Sequence, residues 1–164
     1  MAVKLVVASD SHGSAAALQR VLSAEPGAHA LLFLGDGVRD LEGLDGLFPK
    51  LRIYPVAGNC DLGCPEPQEG LAAFGGAVVF YTHGHNYGVK ASLGRLFHTA
   101  QARGAQLALF GHTHLPCLEE YDGVTLFNPG SVGRPARGGA TYGVIELEGG
   151  RFTCRHKKVP ALWD

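Results

Sequence analysis

Five short apolar runs punctuate the chain, at residues 4–8, 30–34, 51–57, 77–81 and 106–110. Each is rich in Val, Leu, Ile or aromatic residues and is closed by glycine or a polar group. Continuous apolarity over so few residues is the pattern of strands buried on both faces. Between the runs, apolar positions recur at helical spacing. Ser14 is placed to cap a helix whose Ala17, Leu18, Val21 and Leu22 share one face, and Pro26-Gly27 ends it. Leu41, Leu44, Leu47 and Phe48 form a second stripe before Pro49. Val89, Leu93, Leu96, Phe97 and Ala100 form a third, with Gly104 as its stop.

Beyond Gly111 the texture changes. Short runs at 117–121 and 124–127 are split by Asp122-Gly123, and those at 141–148 and 151–159 by Gly149-Gly150; both dipeptides are hairpin signals. Alternating strand and helix followed by a meander predicts two facing sheets with helices outside them, not one parallel sheet. Residues 65–70 read as the most mobile loop.

A chain of 164 residues suits one domain, residues 1–164, and 46% hydrophobic residues can fill its core. Fourteen basic residues against 15 acidic ones give a net charge of -1, so no basic field exists to hold nucleic-acid phosphates or a membrane surface. No apolar stretch approaches the ~20 residues that span a bilayer, and the start shows no cleavable signal pattern. A soluble cytoplasmic protein is expected. Its cysteines, Cys60, Cys64, Cys117 and Cys154, contain no CxxC pair and are expected to be reduced.

The chemistry lies in the polar motif that closes each run: Ser9-Asp10-Ser11-His12-Gly13, Gly35-Asp36-Gly37, Gly58-Asn59-Cys60-Asp61, Thr82-His83-Gly84-His85 and Gly111-His112-Thr113-His114. Ligands of α/β folds collect at the carboxyl ends of strands, so these five motifs are expected on one edge. Taken singly, Asp-x-His is weak and Gly-Asp after a strand is usually a turn. Two histidines at i and i+2 after a buried strand have little packing value, and five such motifs in order are hard to explain as five separate turns. Oxygen and imidazole donors suit Mn, Fe, Zn, Ni or Co. Asp10, His12, Asp36, Asn59, His83, His112 and His114 make seven candidates, more than one ion with an open position takes. Two ions ~3.5–4 Å apart, sharing a carboxylate, would use them all.

In that order, Asp10-x-His12, Gly35-Asp36, Gly58-Asn59, His83 and Gly111-His112-Thr113-His114 resemble the motifs of the calcineurin-like metallophosphoesterases. Gly58-Asn59-Cys60-Asp61, Thr82-His83-Gly84-His85 and Asn128-Pro129-Gly130-Ser131 further resemble the small YfcE-type phosphodiesterase branch. The resemblance implies an α/β fold, a four-layer αββα sandwich of two facing mixed β-sheets flanked by helices. It implies two divalent metal ions, manganese foremost, the first on Asp10, His12, Asp36 and His114 and the second on Asp36, Asn59, His83 and His112, with Asp36 as the bridge. The activity implied is hydrolysis of a small phosphodiester by in-line attack of a metal-bridging hydroxide. No stable nucleic-acid complex and no membrane attachment are expected, and relatives form dimers or higher homo-oligomers. The rivals are a phosphomonoesterase or nucleotide phosphatase on the same metals, and a noncatalytic scaffold like the retromer subunit of this fold, whose motifs are degraded.

Cys60 stands where larger relatives carry a histidine that serves the leaving group. Asn59 and His85 are therefore the candidate catalytic residues. The Asn59 amide is to stabilise phosphoryl charge, while His85 either substitutes as proton donor or orients His83. Cys60 itself reads as a small filler ahead of a soft metal contact or an oxidisable thiol, and Cys64, Cys117 and Cys154 as packing or loop residues. Asp61 reads equally as a capping carboxylate or as an acceptor behind the ligands. Arg134 and Arg137 flank a Gly/Pro-rich loop where they are solvated or meet substrate phosphate. His29, His98 and His156 are expected to be structural.

Overall fold

A computed structural model of the chain describes residues 2–162; Met1, Trp163 and Asp164, which the one-domain reading includes, lie outside the described residues. The first sheet contains β1 (Val3–Ala8), β2 (Ala30–Phe33), β3 (Arg52–Pro55), β9 (Thr141–Glu148) and β10 (Arg151–Lys158), in the order β10-β9-β1-β2-β3. The second contains β4 (Glu69–Phe74), β5 (Ala77–Thr82), β6 (Leu107–Leu109), β7 (Pro116–Tyr121) and β8 (Val124–Pro129), in the order β4-β5-β6-β8-β7. Each sheet has three parallel strands, with antiparallel partners at one or both sides.

The apolar runs are continuous because each serves two cores. Leu5, Val7, Leu32 and Ile145 of the first sheet meet Val79, Leu107, Leu109 and Phe127 of the second between the sheets. Val6, Ala8, Leu31, Phe33 and Val144 point outward, under α1 (Ala15–Ala24) and Leu44 of α2 (Leu44–Leu47). Phe80, Ala108, Phe110 and Leu126 do the same under Leu96 and Ala100 of α3 (Gly94–Ala102). The result is the expected αββα sandwich. Among the described residues, no helix is long and apolar enough to cross a membrane.

Four details differ from the sequence reading. Residues 69–74 form β4, so Glu69 and Gly70 belong to a strand and not to a loop. Its hairpin partner is β5, through a Gly75-Gly76 turn with φ of 55° and 86°. The second stripe breaks into a 3-10 turn (Val38–Leu41) and the short α2, because Gly43 at φ 81° separates them; Leu47 is exposed. The third helix starts only at Gly94, and Val89 packs beneath it from the preceding loop. Ser14 occupies the N-cap position of α1 but its hydroxyl makes no cap bond.

Strand register decides where the polar motifs meet. Ala8 pairs with Phe33, and Phe33 with Pro55; in the other sheet Tyr81 pairs with Leu109, and Leu109 with Phe127. The strands of each sheet therefore end side by side. Loops from both sheets are laced together above them: Val132 N–H donates to Ser9 O at 3.1 Å and Gly133 N–H to Asp10 O at 3.2 Å.

Candidate metal centre

The backbone of these loops is bent into an unusual shape. Among the described residues six non-glycines have positive φ, and five of them are candidate ligands: Asp10 (56°), His12 (44°), Asp36 (59°), His112 (71°) and His114 (61°). The sixth is the turn residue Asp122. Left-handed backbone costs a non-glycine ~1–2 kcal/mol, and such strain clusters where function demands it. The bends are held by Asp10 N–H to Gly35 O at 2.9 Å, His12 N–H to Asp36 O at 3.0 Å and Gly111 N–H to His83 O at 2.9 Å. Gly58 is needed for closeness: a Cβ there would lie 2.1 Å from Asp36 Oδ1.

Six of the seven predicted ligands converge. In one group, Asp10 Oδ1 lies 3.2 Å from His114 Nε2 and 3.6 Å from His12 Nε2, and the two ring nitrogens are 3.3 Å apart. In the other, Asp36 Oδ2 lies 3.2 Å from His83 Nε2, whose ring sits 5.0 Å from that of His112. Within each group all donor atoms lie within 4.8 Å of one another. Asp36 Oδ2 also approaches His12 Nε2 at 3.8 Å, so this carboxylate stands between the groups.

Hydrogen bonds behind the cluster fix which atoms face inward. His83 Nδ1–H donates to Leu34 O at 2.6 Å and His114 Nδ1–H to Arg134 O at 2.7 Å, which leaves both Nε2 lone pairs for the centre. Asp10 Oδ2 accepts from Ser9 Oγ at 2.6 Å and from His112 N–H at 3.1 Å, which frees Oδ1. Asp10 Oδ1 and His83 Nε2 are buried and have no hydrogen-bond partner. Buried acceptors left facing one another are costly unless a cation joins them, and this donor set suits a divalent metal ion.

The electrostatics agree. Burial opposes the charge on Asp36, but the His83 imidazole and the Cys60 N–H outweigh it and hold the carboxyl far below the usual range. For His83, burial favours the neutral ring, while the Asp36 and Asp10 carboxylates and the Leu34 carbonyl raise its pKa. His112 is pushed down to about 4 by burial, with the His83 and Lys90 charges helping, and so offers a free lone pair at neutral pH.

Asn59 and His85 stand at the rim. Asn59 is exposed and its amide nitrogen reaches Cys60 Sγ at 3.7 Å, but its chain neighbours are pinned to Asp36: Gly58 packs on it and Cys60 N–H donates to Oδ1 at 2.8 Å. The His85 ring lies 5.4 Å from His83 and 6.3 Å from His112, and its buried Nδ1 has no partner. Cys60 is not the buried filler the sequence favours. It is exposed, and its sulfur lies within 4.8 Å of a His12 nitrogen and an Asp36 oxygen. Partial desolvation and the Asp36 carboxylate push its thiol pKa up.

Asp61 takes both of its expected roles. Its carboxylate accepts from Asp36, Gly37, Val38 and Gly58 N–H at 2.7–3.1 Å, capping the turn after β2 while fixing Asp36. Arg134 contributes its backbone, and its side chain is exposed. The sequence reading missed Asp40, which accepts from Ser11 Oγ and Gly13 N–H. It also missed how residues 128–131 work: buried Asn128 donates to Gly111 O and Thr113 Oγ1, and Ser131 Oγ donates to Asp10 O at 2.7 Å. Their signal was present, since they close an apolar run as the other five motifs do. His29 and His156 make structural contacts, to Lys4 N–H and Asn128 O.

Known proteins with related sequences point the same way. The family model for the calcineurin-like phosphoesterase superfamily domain matches residues 3–150. A probable metallophosphoesterase, YsnB of Bacillus subtilis (strain 168), is 31% identical over 156 residues, covering 93% of this chain and 89% of that protein. The phosphodiesterase YfcE of Escherichia coli (strain K12) is 33% identical over 171 residues, covering 88% of each. A predicted phosphoesterase from Streptococcus pneumoniae TIGR4 superposes with a TM-score of 0.81 at 26% identity, over 96% of this chain and 90% of that one. Vps29 of Entamoeba histolytica shares the fold alone, with a TM-score of 0.72 at 18% identity over 96% of this chain and all of that one.

Proposed function

The chain belongs to the calcineurin-like phosphoesterase superfamily, and on that premise we propose that it is a phosphodiesterase acting on small diesters with two divalent ions, manganese foremost. The observation that carries this reading is the pair of orphaned buried atoms, Asp10 Oδ1 and His83 Nε2, within a cluster of two carboxylates and four imidazoles drawn from both sheets. Asp10, His12, Asp36 and His114 would hold one ion, and Asp36, Asn59, His83 and His112 the other. When bound, the two ions supply positive charge that lowers the pKa of water and neutralises phosphoryl oxygens.

The chain's own groups do the rest. Asp36, standing between the two groups, would serve both ions, the Leu34 and Arg134 carbonyls keep His83 and His114 in the tautomer with Nε2 free, and the Asn59 amide would donate to a phosphoryl oxygen. His85, on the His83 and His112 side, would give a proton to the departing alkoxide when in its imidazolium form, which burial and the His83 charge disfavour by lowering its pKa. In this reading residues 1–164 act as one domain, soluble in the cytoplasm, able to assemble as a dimer or higher homo-oligomer and without a stable nucleic-acid complex.

Metal content and turnover of Asp36→Asn test the reading. The variant is expected to bind less than the wild-type complement of manganese and to lose roughly 100-fold or more in rate on bis(4-nitrophenyl) phosphate. Full metal and full rate would refute the bridging role. Wild-type rates on 4-nitrophenyl phosphate alongside the diester separate a diesterase from a monoesterase, and undetectable turnover of both by metal-loaded protein would favour the scaffold.

A further inference from the structure

Beside the metal cluster a groove of about 900 Å³ runs outward from Cys60, between the 3-10 turn after Asp36 and the loop of residues 60–66. We propose that this groove holds one ester arm of the substrate, an uncharged organic group of nucleoside size; this rests on the phosphodiesterase reading.

Three observations carry it. The groove is built onto the centre: Cys60 at its inner end donates its N–H to Asp36 Oδ1, and its sulfur lies within 4.8 Å of the His12 and Asp36 donor atoms. Its two walls are locked together, since the Asp61 carboxylate binds Asp36, Gly37 and Val38 N–H on one side and Gly58 N–H on the other. A site held this way is formed before the ligand arrives, and its volume lies in the range of small-molecule pockets.

The lining sets the chemistry of the arm. Val38, Leu41, Ile53 and Pro55 give it apolar wall, and Leu62, 90% exposed, stands at the mouth with nothing of the chain over it. Arg39, Glu42, Asp61 and Glu66 are the charged groups of the lining, and because Asp61 is turned to its four N–H donors, Arg39, Glu42 and Glu66 are the ones left to meet a ligand. Two carboxylates against one guanidinium disfavour an arm that bears a further phosphate and tolerate a neutral one. A monoester has one arm, whereas a diester keeps a second to place here, so the groove also favours diesters.

The test compares two esters with a common leaving group, thymidine 5′-(4-nitrophenyl) phosphate and methyl 4-nitrophenyl phosphate, on the manganese-loaded full chain. Glu42→Trp fills the groove and Leu62→Asp makes its mouth polar; both side chains are exposed, so the fold should tolerate each change. The expected result is a fall of about tenfold in the ratio of kcat/KM for the nucleoside ester over the methyl ester, arising in KM. An unchanged ratio in both variants overturns the proposal. Saturation-transfer NMR of thymidine 5′-(methyl phosphate) on zinc-loaded protein reads binding independently of any turnover. If neither ester is hydrolysed, saturation of the thymidine protons that Glu42→Trp abolishes upholds the groove while the phosphodiesterase reading falls; absence of saturation in the wild type sinks the groove.

Discussion

His83 donates its Nδ1–H to the carbonyl of Leu34 at 2.6 Å, across 49 residues of sequence, and thereby presents Nε2 to Asp36 at 3.2 Å. The bond joins the end of β5 to the end of β2, one from each sheet. It also selects the ligating tautomer without any charged partner. The arrangement of the candidate cluster thus depends on the two sheets keeping their relative position.

His85 is expected to matter according to the leaving group. An aryl alcohol departs without a proton and an alkyl alcohol needs one, so His85→Ala should slow an alkyl-leaving diester by ~10²- to 10⁴-fold and an aryl-leaving one far less. The ratio of the two rates measures this. Equal losses would assign His85 to orienting His83 instead.

Asp61→Asn places an amide NH₂ where backbone donors already point. Charge-assisted bonds of this kind contribute ~1.5–3 kcal/mol each and are not additive, so a loss of about 2–4 kcal/mol in metal-free stability is expected. Manganese affinity should weaken with it, because the same carboxylate fixes the Asp36 backbone. Urea unfolding and chelator competition read the two effects, and wild-type values in both would remove Asp61 from the centre.

Away from the site, Glu25 is 3% exposed and binds Lys4 at 2.7 Å, Lys157 at 2.6 Å and Tyr142 Oη at 2.5 Å. Burial opposes its charge, but these partners prevail and lower its carboxyl from 4.5 to about 2. The folded protein thus keeps Glu25 ionised where the unfolded chain has taken up a proton. The stabilisation is complete above about pH 4.5 and is lost as the pH falls toward 2. Glu25→Gln should cost about 2–3 kcal/mol at pH 7 and much less at pH 2. Unfolding titrations at both values test it; a cost independent of pH would contradict the ion-pair account.

The positive φ of His114 gives a test of stored strain. Both His114→Gly and His114→Ala lose the imidazole, but only alanine must still hold a Cβ at φ 61°. In metal-free protein the glycine variant should be the more stable by about 1 kcal/mol. The opposite order would show that the loop relaxes once the imidazole is gone.

What the sequence determined by itself was whatever rests on local pattern. Runs such as 30–34 announced doubly buried strands, Asp122-Gly123 announced the β7–β8 hairpin, and a polar motif after each of five runs announced the cluster of donor side chains at the strand ends. The edge strand β4 escaped because its outer residues are half exposed and its apolar pattern is weak, although Gly75-Gly76 offered the same hairpin signal. The second helix was overread because Leu41, Leu44 and Leu47 keep helical spacing while Gly43 breaks the backbone between them. Only the tertiary structure decided that Asp61 caps the Asp36 loop, that Ser131 holds the Asp10 carbonyl, and which nitrogen of His83 and His114 faces inward. Burial and turn chemistry are written in neighbouring residues, whereas these contacts join segments 20 to 121 residues apart and exist only once strand register has brought the loop ends together.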